Sequence, residues 1–147
     1  MDTGTHLFRY ESPLGTIGLE LADDVCHRVL PSNTDAPECS PDHPTALWLR
    51  AYFRGAHLPL PKTAAPRTTF QAHLREELLK IPFGKVHTYG ELAKTLNSAP
   101  RAVGQALGAN PLPILIPCHR VVAADGLGGF AYGSDWKRKL LAWEESI

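Results

Sequence analysis

The stretch Asn110-Pro-Leu-Pro-Ile-Leu-Ile-Pro-Cys118-His-Arg-Val-Val122 places a cysteine and a histidine side by side after a short apolar run. The residues from Ile114 to Ile116 predict a buried segment that leads into the Cys118-His119 step. A thiol reacts as its thiolate, and a neighbouring imidazole often forms that thiolate near neutral pH. Side chains of adjacent residues usually diverge, but a turn at Pro117 would bring the two into one pocket. An inert buried cysteine is the alternative that these residues alone leave open.

Three helices are predicted upstream of this stretch. An amphipathic helix covers residues 70–80, and shorter helices run from Tyr89 to Leu96 and from Arg101 to about Ala109. Pro100 stands at the start of the third helix, where a proline costs no hydrogen bond. Two short helices joined by a tight turn predict a helix-turn-helix, which many DNA-binding proteins use.

One face of the third helix carries small and polar side chains: Arg101, Gly104, Gln105 and Gly108 fall at i, i+3, i+4 and i+7. A glycine inside a helix costs roughly 1 kcal/mol relative to alanine. Two glycines on one face therefore predict that a backbone or another molecule comes very close to this face of the third helix. Close packing on a neighbouring helix and close approach of another molecule both remain open.

The N-terminal part is predicted to contain strands as well as a helix. Two stretches of strand character within residues 6–29, separated by a Ser-Pro-Leu-Gly turn, predict a small antiparallel sheet. A helix is predicted over residues 46–53, and the proline-containing residues 55–68 read as a linker. We therefore expect an α+β fold of two lobes, with an N-terminal sheet-bearing lobe over residues 1–68 and a helical lobe over residues 69–147.

The C-terminal end combines a loop and a helix. Four glycines between Asp125 and Gly133 predict a flexible loop, and residues 136–145 predict a last helix capped by Ser134 or Asp135. The basic run 137–139 is interpreted as ordinary solvated charge, of which one or two side chains could touch phosphate.

Composition and charge narrow the class of protein. The 147 residues are 44% hydrophobic and 20% charged, as in an ordinary globular domain. Residues 1–79 carry seven Lys/Arg and ten Asp/Glu, whereas residues 80–147 carry eight and five, so the second half is mildly basic, which suits a polyphosphate partner. No apolar run has the ~18 residues of a membrane span, and the first nine residues lack a secretory pattern. We expect a cytoplasmic protein without a membrane partner.

The three cysteines, Cys26, Cys39 and Cys118, show no Cys-x-x-Cys spacing. An odd number without that spacing argues against a disulfide framework and a four-cysteine zinc site. His6, His27 and His43 lie near the first two cysteines, but surface and loop positions explain them better than a zinc site. No metal and no cofactor are expected.

The run Ile-Pro-Cys-His-Arg-Val-Val resembles the signature of the O6-alkylguanine-DNA alkyltransferases. The resemblance covers nearly the whole chain and is strongest from residue 69 onward. It extends to these stretches, in the family's order: Ser12-Pro-Leu-Gly15, Trp48 to Phe53, Thr88-Tyr-Gly-Glu-Leu-Ala93, Arg101-Ala-Val-Gly104, Asn110-Pro111, Gly129-Phe-Ala-Tyr-Gly133 and Leu140-Leu-Ala-Trp-Glu144.

The resemblance implies a suicide acceptor of the alkyl group on O6-alkylguanine, and possible O4-alkylthymine repair. Cys118 would attack the alkyl carbon, His119 would take its proton through a water, and Glu144 would orient the imidazole. Tyr89 would help turn the base out and protonate the leaving guanine, and Asn110 would brace the turn that bears Cys118.

The resemblance also implies a partner, double-stranded DNA bound through the minor groove by a monomer. Arg101 would fill the stack that the flipped base vacates. Gly104, Gln105 and Arg120 are further candidate DNA contacts. The remaining pocket residues are Val121, Phe130 and Tyr132; the carbonyls of Cys118 and Val121 and the amide of Tyr132 would read the guanine edge.

The sequence departs from the family's pattern in three places. The turn before Arg101 is shorter than in many relatives, Phe130 stands where a tyrosine is usual, and Tyr132 replaces a small residue. The last change would narrow the pocket and disfavour bulky adducts.

Two rival functions remain. An alkyltransferase-like lesion-binding module would lack the acceptor cysteine, so Cys118 counts against it. A thiol hydrolase would need a peptide- or amide-binding motif, and none is evident.

Overall fold

The computed structural model describes residues 4–147 and divides into two compact units, Met1–Ala65 and Pro66–Ile147. The α+β class is confirmed, with a small antiparallel sheet in the first unit and mostly helices in the second.

The first unit is built on three antiparallel strands, β1 (His6–Ser12), β2 (Gly15–Ala22) and β3 (Val25–Leu30), in the order β1-β2-β3. The turn between β1 and β2 forms because the Ser12 hydroxyl accepts hydrogen bonds from the Leu14 and Gly15 amides, each at 3.1 Å. Helix α1 (Pro44–Tyr52) follows a long connection. The apolar side chains that the sheet and helix bury form the core of this unit: Ile17, Leu19, Leu21, Val29 and Leu49.

The second unit holds the remaining elements. They are α2 (Thr69–Leu79), β4 (His87–Thr88), α3 (Tyr89–Thr95), α4 (Pro100–Gly108), β5 (Val121–Val122) and α5 (Ser134–Glu145). The two short strands β4 and β5 pair in parallel, with His87 opposite Val121. This pairing sets the start of α3 beside the chain that leaves the Cys118-His119 step. No helix among residues 4–147 is both long enough and apolar enough to cross a bilayer.

Helix α5 begins differently from expectation. Neither Ser134 nor Asp135 caps it; the cap is Gly133, which makes no side-chain hydrogen bond and has φ 99°. Only a residue without Cβ adopts that backbone conformation without strain. The glycine that ends the loop therefore fixes the first turn of the helix.

Helix α3 begins with a capping box formed by Thr88 and Glu91. The Thr88 hydroxyl accepts a hydrogen bond from the Glu91 amide at 3.1 Å, while the Glu91 carboxylate accepts one from the Thr88 amide at 3.0 Å. This capping box satisfies two amides that the helix would otherwise leave without partners. It also places Tyr89, the first helical residue, at a fixed position.

We expect Thr88→Ala to lower the free energy of unfolding by about 1 kcal/mol, because the substitution removes the hydroxyl that caps α3. Urea denaturation followed by circular dichroism measures the change. Thr88→Ser keeps a hydroxyl and should stay close to the wild-type protein. Equal stability of the alanine and serine variants would show that the cap contributes nothing.

Candidate active site

Cys118 lies in a tight turn. The Cys118 amide donates to the Ile116 carbonyl at 2.7 Å. The Arg120 amide donates to the Pro117 carbonyl at 3.1 Å, and this bond closes the single 3₁₀ turn of residues 118–120. Cys118 is 5% exposed. The turn expected at Pro117 is therefore present, and it leads directly into β5.

Asn110 holds the chain that precedes this turn. Its amide donates to the Ile116 carbonyl at 3.0 Å, and its side-chain oxygen accepts from the Leu112 amide at 3.1 Å. Between them, Ile114 has φ 76°, a conformation that costs a β-branched residue about 1–3 kcal/mol. The buried Asn110 side chain offsets part of this strain, since it satisfies two backbone groups inside the unit.

Burial raises the pKa of the Cys118 thiol to about 11, although a hydrogen bond from the Asn110 side chain and the charge of Lys137 act in the opposite direction. Nearly all of the sulfur is therefore a neutral thiol at pH 7. A group that removes the proton during the reaction is required for attack.

His119 is fully buried and bonded to Glu144, with 2.6 Å between Nε2 and a carboxylate oxygen. Burial lowers the pKa of His119, and the bond to Glu144 opposes the shift without cancelling it. A neutral ring that donates its Nε2 proton to the carboxylate carries its lone pair on Nδ1. This Nδ1 is buried and has no hydrogen-bond partner within residues 4–147, so it makes no direct bond to Cys118. It is the basic atom of the site.

Arg120 does not lie where the sequence interpretation put it. Its guanidinium, expected at the DNA surface, is buried and donates to both carboxylate oxygens of Glu144, at 2.8 and 3.1 Å. A third bond, of 2.9 Å, goes to the Ile81 carbonyl, and the Phe83 ring centre lies 5.6 Å away. In this arrangement Arg120 neutralises the carboxylate that orients His119.

Tyr89 is tied to the glycine-rich loop. Its hydroxyl accepts a hydrogen bond from the Gly129 amide at 3.1 Å and lies 3.4 Å from the Gly129 carbonyl. Gly128 has φ 76°, and a Cβ built on it would lie 2.7 Å from the tyrosine oxygen. A side chain at that position would push the loop away from Tyr89.

The small-residue face of α4 is open. Arg101, Gln105 and Gly108 are exposed, and Gly104 is half-buried. A Cβ built on Gly108 would meet nothing within 4 Å, and one on Gly104 would meet only the Tyr89 ring, at 3.9 Å. Packing against another helix therefore does not explain these glycines in the described part of the chain.

Two of the pocket residues named from the sequence contact each other in the glycine-rich loop. The Phe130 and Tyr132 rings meet edge to face with 5.5 Å between their centres. The Tyr132 hydroxyl donates to the Asn110 carbonyl at 2.8 Å. Tyr132 thus joins the loop to the residue that braces the Cys118 turn.

Lys137 is the site residue that the sequence interpretation missed. The side chain is fully buried, and its ammonium group donates to the Val121 carbonyl at 2.6 Å and the Gly129 carbonyl at 2.8 Å. Its classification as solvated charge was wrong. The available signal was helical spacing, because Lys137 precedes the buried Leu140 and Glu144 by three and seven residues on one face of α5.

The histidines and cysteines of the first unit have other roles. His43 caps α1 by accepting the Thr45 amide at 3.0 Å, and Nε2 lies 2.8 Å from the Asp23 carbonyl. Cys26 and Cys39 are buried thiols. Within residues 4–147, no three His, Cys, Asp or Glu side chains come together as a metal site.

Comparison with known proteins links this site to one family. Residues 69–146 match the model of the 6-O-methylguanine DNA methyltransferase, DNA binding domain. A methylated-DNA--protein-cysteine methyltransferase of Saccharolobus solfataricus is 38% identical over 142 residues, covering 92% of each chain. One of Methanocaldococcus vulcanius is 50% identical over 78 residues, but this chain spans only 48% of its length.

Solved structures agree with this match. The crystal structure of Mycobacterium tuberculosis O6-methylguanine methyltransferase has a TM-score of 0.81 at 32% identity, covering 97% of this chain and 93% of that one. A structure of the Mycobacterium tuberculosis protein in complex with DNA has a TM-score of 0.79 at 34% identity, covering 96% and 93%.

We expect Glu144→Gln to destabilise the second unit by about 3–5 kcal/mol, because it removes the charge that faces the buried Arg120 guanidinium. Glu145→Gln removes the neighbouring, exposed carboxylate and serves as the matched control. Guanidinium denaturation measures both variants. If the two lose the same stability, the Glu144 charge is not what holds the turn to α5.

Proposed function

Because this chain belongs to the 6-O-methylguanine DNA methyltransferase family, we propose that it repairs DNA by moving an alkyl group from guanine O6 to Cys118. The observation that carries the proposal is the buried His119–Glu144 pair beside the thiol turn, with the basic Nδ1 lacking a protein partner. This is the cysteine, histidine and carboxylate set of an activated nucleophile.

The chemical step is a displacement at the alkyl carbon. The sulfur–carbon bond forms while the bond from carbon to O6 breaks. The thiol proton passes through a bridging water to His119 Nδ1, and Glu144 stabilises the imidazolium that results. The Tyr89 hydroxyl gives a proton to the leaving guanine, and solvent restores both groups. No group displaces the thioether, so each molecule reacts once.

The DNA is bound through α3 and α4. Guanine O6 lies inside the base stack, out of reach of a protein thiol, so the nucleotide must turn out of the helix. The open face of α4 supports a close approach to DNA, and small residues suit the narrow minor groove, about 6 Å wide. Arg101 fills the gap in the stack, and Gly104 and Gln105 follow the backbone. A single copy of the chain binds one lesion.

The guanine enters beside Asn110, Val121, Phe130 and Tyr132. In the described conformation the Tyr89 hydroxyl is bonded to Gly129, so binding of the base exchanges that partner for the guanine edge. The Tyr132 ring, where relatives carry a small residue, leaves room for methyl more readily than for a benzyl group.

A lesion-binding module without transfer is the less favoured function. It would not need an acceptor thiol, whereas this chain carries Cys118 at the centre of a hydrogen-bonded turn. We therefore retain alkyl transfer as the function.

Intact-mass spectrometry tests the transfer. After incubation with duplex DNA that contains one O6-methylguanine, we expect the protein to gain one methyl group in place of one hydrogen, at one equivalent per chain. Cys118→Ser should show no gain. Cys26 is a matched control for thiol chemistry, because it is also a buried thiol, with its pKa raised by burial to about 12. Cys26→Ser should leave the transfer intact. Binding of the lesion without any gain in mass would favour the lesion-binding module.

Arg101→Ala tests the flipping step. We expect transfer from duplex DNA to slow by at least about tenfold, which corresponds to ~1.4 kcal/mol of the cost of extruding the base. Transfer from the free O6-methylguanine base should be unchanged, since no base has to leave a stack. Lys80→Ala removes an exposed charge just after α2 and controls for net charge. Equal slowing on duplex and free base would contradict the role of Arg101.

A further inference from the structure

We propose that Lys137 is a positioning residue whose buried positive charge stabilises the thiolate of Cys118 as it forms. The inference rests on the proposed function and adds a second activating group to the His119–Glu144 pair. Lys137 stabilises the negative charge of the thiolate, whereas His119 accepts the thiol proton.

The proposal rests on the surroundings of the Lys137 ammonium group. Lys137 has no exposed surface, and its Nζ is held by two carbonyl oxygens, those of Val121 at 2.6 Å and Gly129 at 2.8 Å. The Tyr89 ring centre lies 5.8 Å away. Within residues 4–147 no carboxylate lies within ion-pair distance of Nζ. The titratable groups that face Lys137 are the Cys118 thiol, the His119 ring and the Tyr89 phenol.

A buried cation without a counter-ion is costly. Removing an ammonium group from water is unfavourable even after the protein relaxes around it. Hydrogen bonds to two carbonyl oxygens offset only part of this desolvation cost. An apolar side chain on this face of α5 would pack without the penalty, as Leu140 does on the same face. The cost is offset once Cys118 ionises, because the two charges then attract each other in a medium of low dielectric constant.

The titration behaviour of the two groups agrees with this geometry. Burial lowers the pKa of Lys137 to about 8, and the negative charge of Cys118 opposes the shift. In return, the charge of Lys137 lowers the pKa of the Cys118 thiol against the effect of burial. Lys137 keeps its own proton throughout the reaction. The thiol proton goes to His119, the sulfur turns from anion to neutral thioether, and the guanine takes a proton from Tyr89, which solvent then restores.

The test measures the reactivity of Cys118 towards iodoacetamide from pH 6 to pH 10, by the mass of the peptide that contains it. In the wild-type protein we expect the rate to rise about tenfold per pH unit up to about pH 8, to level off over about one pH unit, and then to rise again. In that interval Lys137 loses its proton, so the gain in thiolate is cancelled by the loss of the cation. A rate that rises with one unbroken slope from pH 6 to pH 10 would overturn the proposal without the need for any variant.

Lys137→Met removes the charge and keeps a similar shape. We expect its rate at pH 7 to fall about tenfold or more, the levelling near pH 8 to disappear, and the free energy of unfolding to stay equal or increase. Lys137→Arg keeps the positive charge at every pH, so its rate at pH 7 should stay near the wild-type value and continue to rise above pH 8. An unchanged profile in the methionine variant would overturn the proposal. So would a drop by the same factor at every pH, which would mean that Lys137 only anchors the loop.

The measurement uses no DNA, which separates this inference from the proposed function. A protein that fails to accept a methyl group from DNA yet shows the Lys137-dependent profile would disprove only the function. A protein that transfers methyl with an unaltered profile in Lys137→Met would disprove only the role of the lysine.

Discussion

The second unit depends on one buried carboxylate. Glu144 accepts hydrogen bonds from His119 and Arg120, and also from the Gly84 amide at 3.2 Å. Three segments far apart in sequence therefore meet at one side chain near the end of the last helix. An ionised carboxylate without partners would be unstable in this interior, and its partners would be equally costly without it. Glu144 therefore ties the turn that bears Cys118 to α5.

The glycine-rich loop links the remaining groups. Gly129 contacts the Tyr89 hydroxyl through its amide and the Lys137 ammonium through its carbonyl. The Tyr132 hydroxyl holds the Asn110 carbonyl at the other end of the loop. Displacement of the loop would therefore alter the phenol, the lysine and the brace of the thiol turn together. These hydrogen bonds form one connected set.

The sequence predicted the fold class, the helices and the thiol turn because each has a local signature, such as the proline before α4 or the periodic apolar face of α2. It did not predict the position of Arg120 or Lys137. A positive charge is usually solvated, and burial of one depends on a partner distant in the chain, here Glu144 for Arg120 and the Val121 and Gly129 carbonyls for Lys137. The cap of α5 was missed for a similar reason, since the positive φ of Gly133 is set by the loop rather than by a capping side chain.

The burial of the thiol has a consequence for the working life of the molecule. A group that can be used only once is wasted by every oxidant or small electrophile that reaches it first. Cys118 is 5% exposed and its thiol is almost wholly protonated at neutral pH, and oxidation and adventitious alkylation both require an accessible thiolate. The same burial that makes activation necessary therefore protects the chain until its substrate arrives.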